Sequence, residues 1–410
     1  MSRLSRAAAG GELRVDDGCV GAALAGPRRW LGSAVEWKKL GEVAKICRGV
    51  RVVKKELTDD GKYAVYQNSL KPLGYYGEAN VKGGTAFVIG AGAAGEVGYS
   101  EQDFWAADDC YYIDGGERLI GRYVYYCLTS RQDWLLGKVR KASIPRLSRD
   151  FIAALEIPLP PLEIQREVVE ILDNFANLTA ELTAELAKRK KQYEHYRDML
   201  LNFTGGGRYD KFGVESGGFR VEWKRLGEIG RVAMCKRILK QQTMSEGEIP
   251  FYKIGTFGKE PDAFISRALF DEYRSAYSYP NKGDILISAA GTIGRAIIFD
   301  GKPAYYQDSN IVWLAHDEST VLNKYLYFFY QTNPWKVAVG GTIPRLYNRN
   351  IEEVSIPLPP LAEQERIVAI LDRFDSLCNS LTEGLPAEIA LRKKQYEYYR
   401  DKLLSFKEAS

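Results

Sequence analysis

A chain of 410 residues that is 45% hydrophobic and 27% charged has material for about two to four cored domains. Its 57 lysines and arginines against 53 acidic residues leave a net charge of +4, which excludes a histone-like polycation and confines any nucleic-acid footprint to local basic patches. Six cysteines without CxxC spacing and only two histidines, His195 and His316, support neither a metal site nor a disulfide framework.

Residues 1–34 are rich in Ala, Gly and Arg and show no sustained periodicity, so a disordered tail or a misassigned start is expected there. WKKLGEV from Trp37 opens a first head, residues 35–156, of short β-branched and aromatic runs punctuated by Gly, Asn and Asp. TAFVIG from Thr85 and CYYI from Cys110 read as strands, and GRYVYYCLTS from Gly121 as a short helix. SIPRL from Ser143 comes next, then IPLPP from Ile157, whose prolines force an extended entry and make about residue 162 the earliest helical start. From there Val168, Ile171, Leu172, Phe175, Leu178, Leu182, Leu186, Tyr193, Tyr196, Leu200 and Phe203 recur every three or four residues. That spacing predicts an amphipathic helix of about 42 residues, roughly 60 Å long. GGG at 205–207 stops it, and 206–221 reads as a linker.

The same order then returns. WKRLGEI from Trp223 repeats the tryptophan motif at an offset of 186 and opens a second head, residues 222–355. DILIS from Asp284, AIIF from Ala296 and NIVWL from Asn310 read as strands, and VLNKYLYFFY from Val321 as a short helix. TIPRL from Thr342 and IPLPPLAEQERIVAILDRF from Ile356 answer the first copy at an offset of 199. The helical stripe resumes through Ile367, Ile370, Leu371, Phe374, Leu377 and Leu381, and then EGLP from Glu383 predicts a break, with a further helix from about Ala387 to Phe406. RKKQYEYYRDKLL from Arg392 matches RKKQYEHYRDMLL from Arg189 at 203. A period near 200 excludes solenoids and propellers, whose repeats run at roughly 20–50 residues.

The fold class expected is therefore α+β: two α/β heads separated by two long antiparallel helices forming a coiled coil, with a pseudo-twofold internal repeat. The helical regions are 157–205 and 356–410. A helix this long has one narrow apolar face and no core of its own, so pairing between copies is the economical solution. Between the matched blocks the heads share little beyond a glycine-rich stretch, GAGAAG from Gly90 opposite AAGTIG from Ala289. A common frame holding unlike inserts suggests two separate reading heads.

Several motifs invite catalytic readings. FVIGAGAAG from Phe87 satisfies GxGxxG after an apolar strand, which would support a dinucleotide-dependent oxidoreductase resting on Gly90, Gly92 and Gly95. The motif must open a helix, yet EVGYSEQDFWAADD has no apolar periodicity. Glycines where two strands meet, or where backbone approaches a phosphate, explain both copies better. No (N/D)PP(Y/F) methyltransferase motif exists, NPW from Asn333 being the nearest, and Asp108 and Asp109 have no supporting nuclease constellation. No catalysis by the chain itself, no cofactor and no metal are expected. RKKQY reads as a solvated charged face beside a tyrosine stripe rather than a phosphate patch. Arg146 and Arg345 follow a turn-fixing proline in both copies, and both a structural and a DNA-binding role stay open for them.

The duplicated IPLPPLxxQ, the ILDxF helix, TAELTAEL from Thr179 and the RKKQYxxYRD ending resemble the specificity subunit of type I restriction-modification systems, closest to the type IC subgroup, over about residues 35–406. The resemblance implies two target-recognition domains, each reading half of a bipartite sequence in double-stranded DNA. It also implies helical regions that space the domains and dock two methyltransferase subunits, and restriction subunits that supply the motor and nuclease. S-adenosylmethionine, ATP and magnesium would belong to those other subunits, and the setting would be a prokaryotic cytoplasm, in association with the nucleoid and without membrane contact. The alternative is a stand-alone sequence-specific DNA-binding regulator.

Base readout needs Arg, Lys, Asn and Gln positioned by phosphate contacts. The chemically suitable candidates among loop signals are Lys62, Gln67, Asn68, Lys71, Lys82 and Arg146 in the first head. In the second they are Lys253, Lys259, Arg274, Arg295 and Arg345. For the spacing and docking helices the candidates are Leu172, Phe175, Leu182, Leu186, Tyr193 and Tyr196, with Leu371, Phe374, Tyr396 and Tyr399 from the second copy.

Overall fold

The computed structural model describes residues 33–203, 221–336, 344–380 and 382–409. The expected tail up to residue 32, the glycine stop with most of the linker, Thr342 and Ile343 of the second TIPRL, and Leu381 lie outside the described residues. The chain divides into two compact units, one of residues up to Leu182 together with Ile389 onward, the other Thr183–Glu388.

In the first unit the tryptophan motif forms the strand Ala34–Lys39, which lies between an antiparallel strand, Glu156–Leu159, and a parallel one, Lys407–Glu408. Trp37 faces Pro158. The duplicated tryptophan and proline motifs are therefore strand partners, and the prolines are tolerated because theirs is an edge strand. The first head has a four-stranded antiparallel sheet in the order Lys45–Arg48, Cys110–Asp114, Thr85–Ile89, Val97–Ser100. A smaller sheet runs Gly74–Tyr76, Tyr63–Tyr66, Trp105–Ala106. The helix Gly121–Ser130 covers the larger sheet and buries Tyr123, Val124, Tyr126, Cys127 and Leu128.

The second unit repeats this plan on different residues. Trp223 faces Pro357 between the strands Glu222–Arg225 and Ser355–Leu358. The large sheet runs Arg231–Ala233, Ile311–Ala315, Ile285–Ser288, Ala296–Ile298, and the small one Phe264–Ile265, Ile249–Tyr252, Tyr305–Tyr306. Strand order and pairing match the first head throughout. The correspondence is gapless well beyond the tryptophan motif: the 3-10 turns Lys54–Glu56 and Lys240–Gln242, and the strands Tyr63–Tyr66 and Ile249–Tyr252, all keep the offset of 186. The inserts differ in sequence while sharing one architecture, and the α+β class expected is the one observed.

The long helix spans Leu162–Leu201, starting where the prolines permit. In the second copy the break falls after Leu361–Asn379, and the final helix begins at Gly384 rather than Ala387, reaching Leu403. Pro386 sits in its first turn, where a missing N–H costs nothing. In the first unit Val168, Ile171, Leu172 and Phe175 of the long helix share a core with Leu403, Leu404 and Phe406. The end of the final helix lies at the start of the long one, so these segments run antiparallel. Phe175 stacks on Tyr399 at 5.2 Å. In the second unit Tyr196 meets Phe374 at 5.4 Å, and Tyr193, Leu200 and Leu201 join Ile367, Leu371 and Cys378. Phe175 and Phe374 are repeat equivalents, as are Tyr399 and Tyr196. Each unit thus pairs its own post-IPLPP helix with the closing helical block of the other copy.

Candidate nucleic-acid interface

The glycine-rich stretch does not open a helix in either head. Residues 90–96 turn the strand Thr85–Ile89 back into Val97–Ser100, and 289–295 do the same between Ile285–Ser288 and Ala296–Ile298. A hairpin offers no helix N-terminus to a pyrophosphate, so the dinucleotide geometry is missing. Two of the glycines are required by close approach at positive φ. At Gly92 a Cβ would lie 2.8 Å from the Asn68 carbonyl oxygen, and at Gly294 it would lie 2.4 Å from the Trp335 ring nitrogen.

Each hairpin is clipped by the (S/T)IPRL segment of its own head. The Leu147 N–H donates to the Gly90 carbonyl at 2.8 Å, and the Leu346 N–H to the Ala289 carbonyl at 2.8 Å. Arg146 pairs in antiparallel register with Ala91, and Arg345 with Ala290. The two arginines then part company. Arg345 Nη2 donates to the Ser309 carbonyl at 3.0 Å and to its hydroxyl at 2.8 Å, a structural clasp on a loop whose Ser309 sits at φ 53°. The Arg146 side chain is exposed.

Of the first-head candidates, Gln67, Asn68 and Arg146 come together. The Asn68 carbonyl accepts the Ala93 N–H at 2.9 Å, and Gln67 Nε2 donates to Asp108 at 3.4 Å. Lys71 lies exposed a few residues on. Lys62 stands at the opposite end of the strand Tyr63–Tyr66, its ammonium 5.0 Å from the Tyr63 ring and its pKa raised first by a hydrogen bond with that tyrosine. Lys82 adjoins Gly83, whose N–H donates to Asp103, also away from the hairpin. In the second head Lys253 occupies the position of Gln67 but pairs with Asp262 at 2.9 Å. Lys259 is exposed in the following turn, and Arg295, on the hairpin itself, donates to the Phe257 carbonyl at 2.8 Å. Arg274 lies over Phe270 and Tyr279, at the far end of the strand that leads to Gln307.

The helical candidates are packing residues. Leu172 and Leu371 are fully buried, and Phe175 nearly so. Tyr193 is buried and donates to Gln331 at 2.7 Å; burial raises its pKa, as it does that of Tyr396, which is pushed up to about 12. Leu182 and Leu186 are half-buried. In RKKQY the arginines bond along their own helices, Arg189 to Glu185 at 2.6 Å and Arg392 to Gln395 at 3.0 Å, while the four lysines stay in solvent.

The sequence reading missed the device that joins head to helix. Gln165 is fully buried at the start of the long helix. Its Oε1 accepts the Ile120 N–H at 3.0 Å, and its Nε2 donates to the carbonyls of Arg118 at 3.0 Å and Pro160 at 2.9 Å. Gln364 does the same with Leu322, Thr320 and Pro359. Tyr123 and Tyr325 donate to the carbonyls of Pro158 and Pro357. Arg122 adds an ion pair to Asp173 at 2.7 Å within a ring of Tyr99, Tyr125 and Tyr126. Burial works against its charge, but Asp173 and the tyrosines more than compensate and its pKa is raised. The doubled glutamine in IPLPPLxxQ was the available signal.

Among the described residues no group of three or more His, Cys, Asp or Glu could hold a metal, and no helix is long and apolar enough to cross a membrane. Residues 33–189 and 220–391 each match the family model described as the type I restriction modification DNA specificity domain. A putative type I restriction enzyme specificity subunit of Haemophilus influenzae is 47% identical over 92% of this chain and 96% of its own. A type I restriction enzyme specificity subunit of Escherichia coli is 36% identical over 70% of each chain. The crystal structure of a type I restriction-modification system S subunit from M. genitalium superposes over 92% of this chain and 97% of its own with a TM-score of 0.57 at 17% identity.

Proposed function

The chain belongs to the type I restriction-modification DNA specificity family, and from that premise we propose that it reads a bipartite DNA target, one half with each head. What carries the reading is the pair of heads built on one sheet plan with unlike side chains around an equivalent glycine hairpin. Gln67, Asn68 and Arg146 serve the first half-site, and Lys259 and Arg295 the second. Arg345 holds the Ser309 loop of the same head, and phosphate contacts from neighbouring lysines set the register.

The chain is the non-catalytic recognition component, and the resemblance to the Escherichia coli relative supports placement in the type IC subgroup. Two methyltransferase subunits dock on the helical regions, 157–205 and 356–410, and restriction subunits join that core. S-adenosylmethionine, ATP and magnesium are used on those partners. The complex works in the cytoplasm, on nucleoid DNA. Membership of the family favours this assembly over a stand-alone regulator.

Mapping methylated adenines across the host genome with and without this gene tests the reading. A two-part motif with a fixed spacer that vanishes on deletion is expected. An unchanged methylation map would refute it.

A further inference from the structure

The segment before Arg146 carries more positive charge than base readout by a few side chains requires. Lys138, Arg140, Lys141 and Arg146 all lie between Asp133 and Asp150 with no acidic residue among them, and all are exposed. Residues 140–146 form a closed finger. The Arg140 N–H donates to the Arg146 carbonyl at 2.8 Å and the Arg146 N–H returns the bond at 3.2 Å. That reciprocal pair sets two arginines directly opposite each other across an antiparallel bridge. Like charges in that register repel and weaken a sheet pair, so the local fold gains nothing from them. The finger is clipped to the glycine hairpin, where the Gly92 N–H donates to the Pro145 carbonyl at 3.1 Å. At its tip Ile144 is 54% exposed between the charges.

The second copy lacks this charge. At the offset of 199, Lys138, Arg140 and Lys141 correspond in sequence to Val337, Val339 and Gly340, leaving Lys336 as the single cation before TIPRL. Arg345, the counterpart of Arg146, spends its guanidinium on Ser309.

We infer that residues 138–146 are an electrostatic arm peculiar to the first head, which grips the phosphate backbone beside its half-site, while the second head reads its half-site without such an arm. The inference rests on the reading of the chain as a DNA specificity subunit and adds that the two heads anchor unequally. A like-charged cross-strand pair, four cations with no ion-pair partner among the described residues, of which only Lys138 lies over aromatic rings, those of Trp134 and Phe151, and a position beside the hairpin fit a closely spaced row of anions. Double-stranded DNA provides one negative charge per roughly 1.7 Å of axis. Backbone contacts of this kind supply affinity and register without naming bases.

The test is fluorescence anisotropy of the full chain on two labelled duplexes, one carrying the target found by methylation mapping and one scrambled, between about 50 and 200 mM salt. Removing one cation from the phosphate backbone flattens the slope of log affinity against log salt by about 0.9. The double variant Arg140→Gln/Lys141→Gln should therefore flatten it by about 1.8 on both duplexes, with the methylated sequence unchanged. Lys336→Gln should leave the slope as it was, and the charge-preserving Arg140→Lys/Lys141→Arg should restore it. An unmoved slope, an equal effect from Lys336→Gln, or a defect confined to binding an acidic partner subunit would overturn the inference. A wild-type chain with no preference for its mapped target would instead sink the specificity reading itself.

Discussion

Replacing Gln165 by leucine removes one side chain that satisfies three backbone groups at once. The Ile120 N–H and the carbonyls of Arg118 and Pro160 are bound at 2.9–3.0 Å by a carboxamide with no solvent exposure, so water cannot take its place. Each buried group left unpaired costs about 1–3 kcal/mol, and the carbonyls keep a second lone pair, so the sum falls short of three full penalties. A loss of about 3–5 kcal/mol is expected, which for a unit of this size lowers the melting temperature by roughly 6–20 °C. Gln364→Leu should do the same to the second unit by releasing Leu322, Thr320 and Pro359. Urea unfolding should show each substitution weakening its own unit, and methylation mapping should show each weakening its own half-site. Destabilisation under about 1 kcal/mol in both variants would mean that the glutamine bonds are exchangeable with water, contradicting the clamp.

Asp173→Ala strands the half-buried Arg122 guanidinium among three tyrosines and should cost about 1–3 kcal/mol. Asp372→Ala, which frees the more exposed Lys324, should cost under about 1 kcal/mol, and equal shifts in denaturant midpoint would contradict this ranking. Deleting Thr179–Leu182 removes one of two tandem units from the continuous long helix and keeps a leucine in register. The deletion shortens that helix by about 6 Å and rotates its C-terminal half by roughly 40° about the axis. DNA turns about 34–36° per base pair, so methylation mapping should find both half-sites intact and the spacer one base pair shorter. An unchanged spacer would refute that mechanism.

The helices were legible because a period of 3.6 sustained from Val168 to Phe203 has no competing explanation. The doubling of IPLPP and RKKQY was legible because it is literal. The common plan of the heads was not. Strands such as Trp105–Ala106 and Tyr305–Tyr306 are two residues long, and they are ordered by pairing with segments far away in sequence. Trp37 and Pro158 gave no hint that they are partners, since a proline-rich strand has no hydrophobic alternation to read. Gln165 and Gln364 are invisible to any rule that sends polar residues outward, although their identical spacing after both proline motifs marked them.

The candidate interface was half legible for a related reason. Loop signals locate residues in sequence but say nothing about which end of a strand they occupy. Gln67 and Lys62 flank one strand, and only the Gln67 end leads on to Asn68, whose carbonyl accepts the hairpin's Ala93 N–H. Arg146 and Arg345 were indistinguishable as strings, yet the hydroxyl and carbonyl of Ser309 bind one guanidinium while the other faces solvent. Duplication explains where such differences are permitted. The glutamine clamps, the tryptophan–proline strand pair and the hairpin clip recur in both units because each head must be held in the same way. The side chains around the hairpin are under no such constraint, since changing them alters what is touched without loosening what holds the head. Two half-sites can therefore diverge freely, in base contacts and in charge, on scaffolds that remain alike.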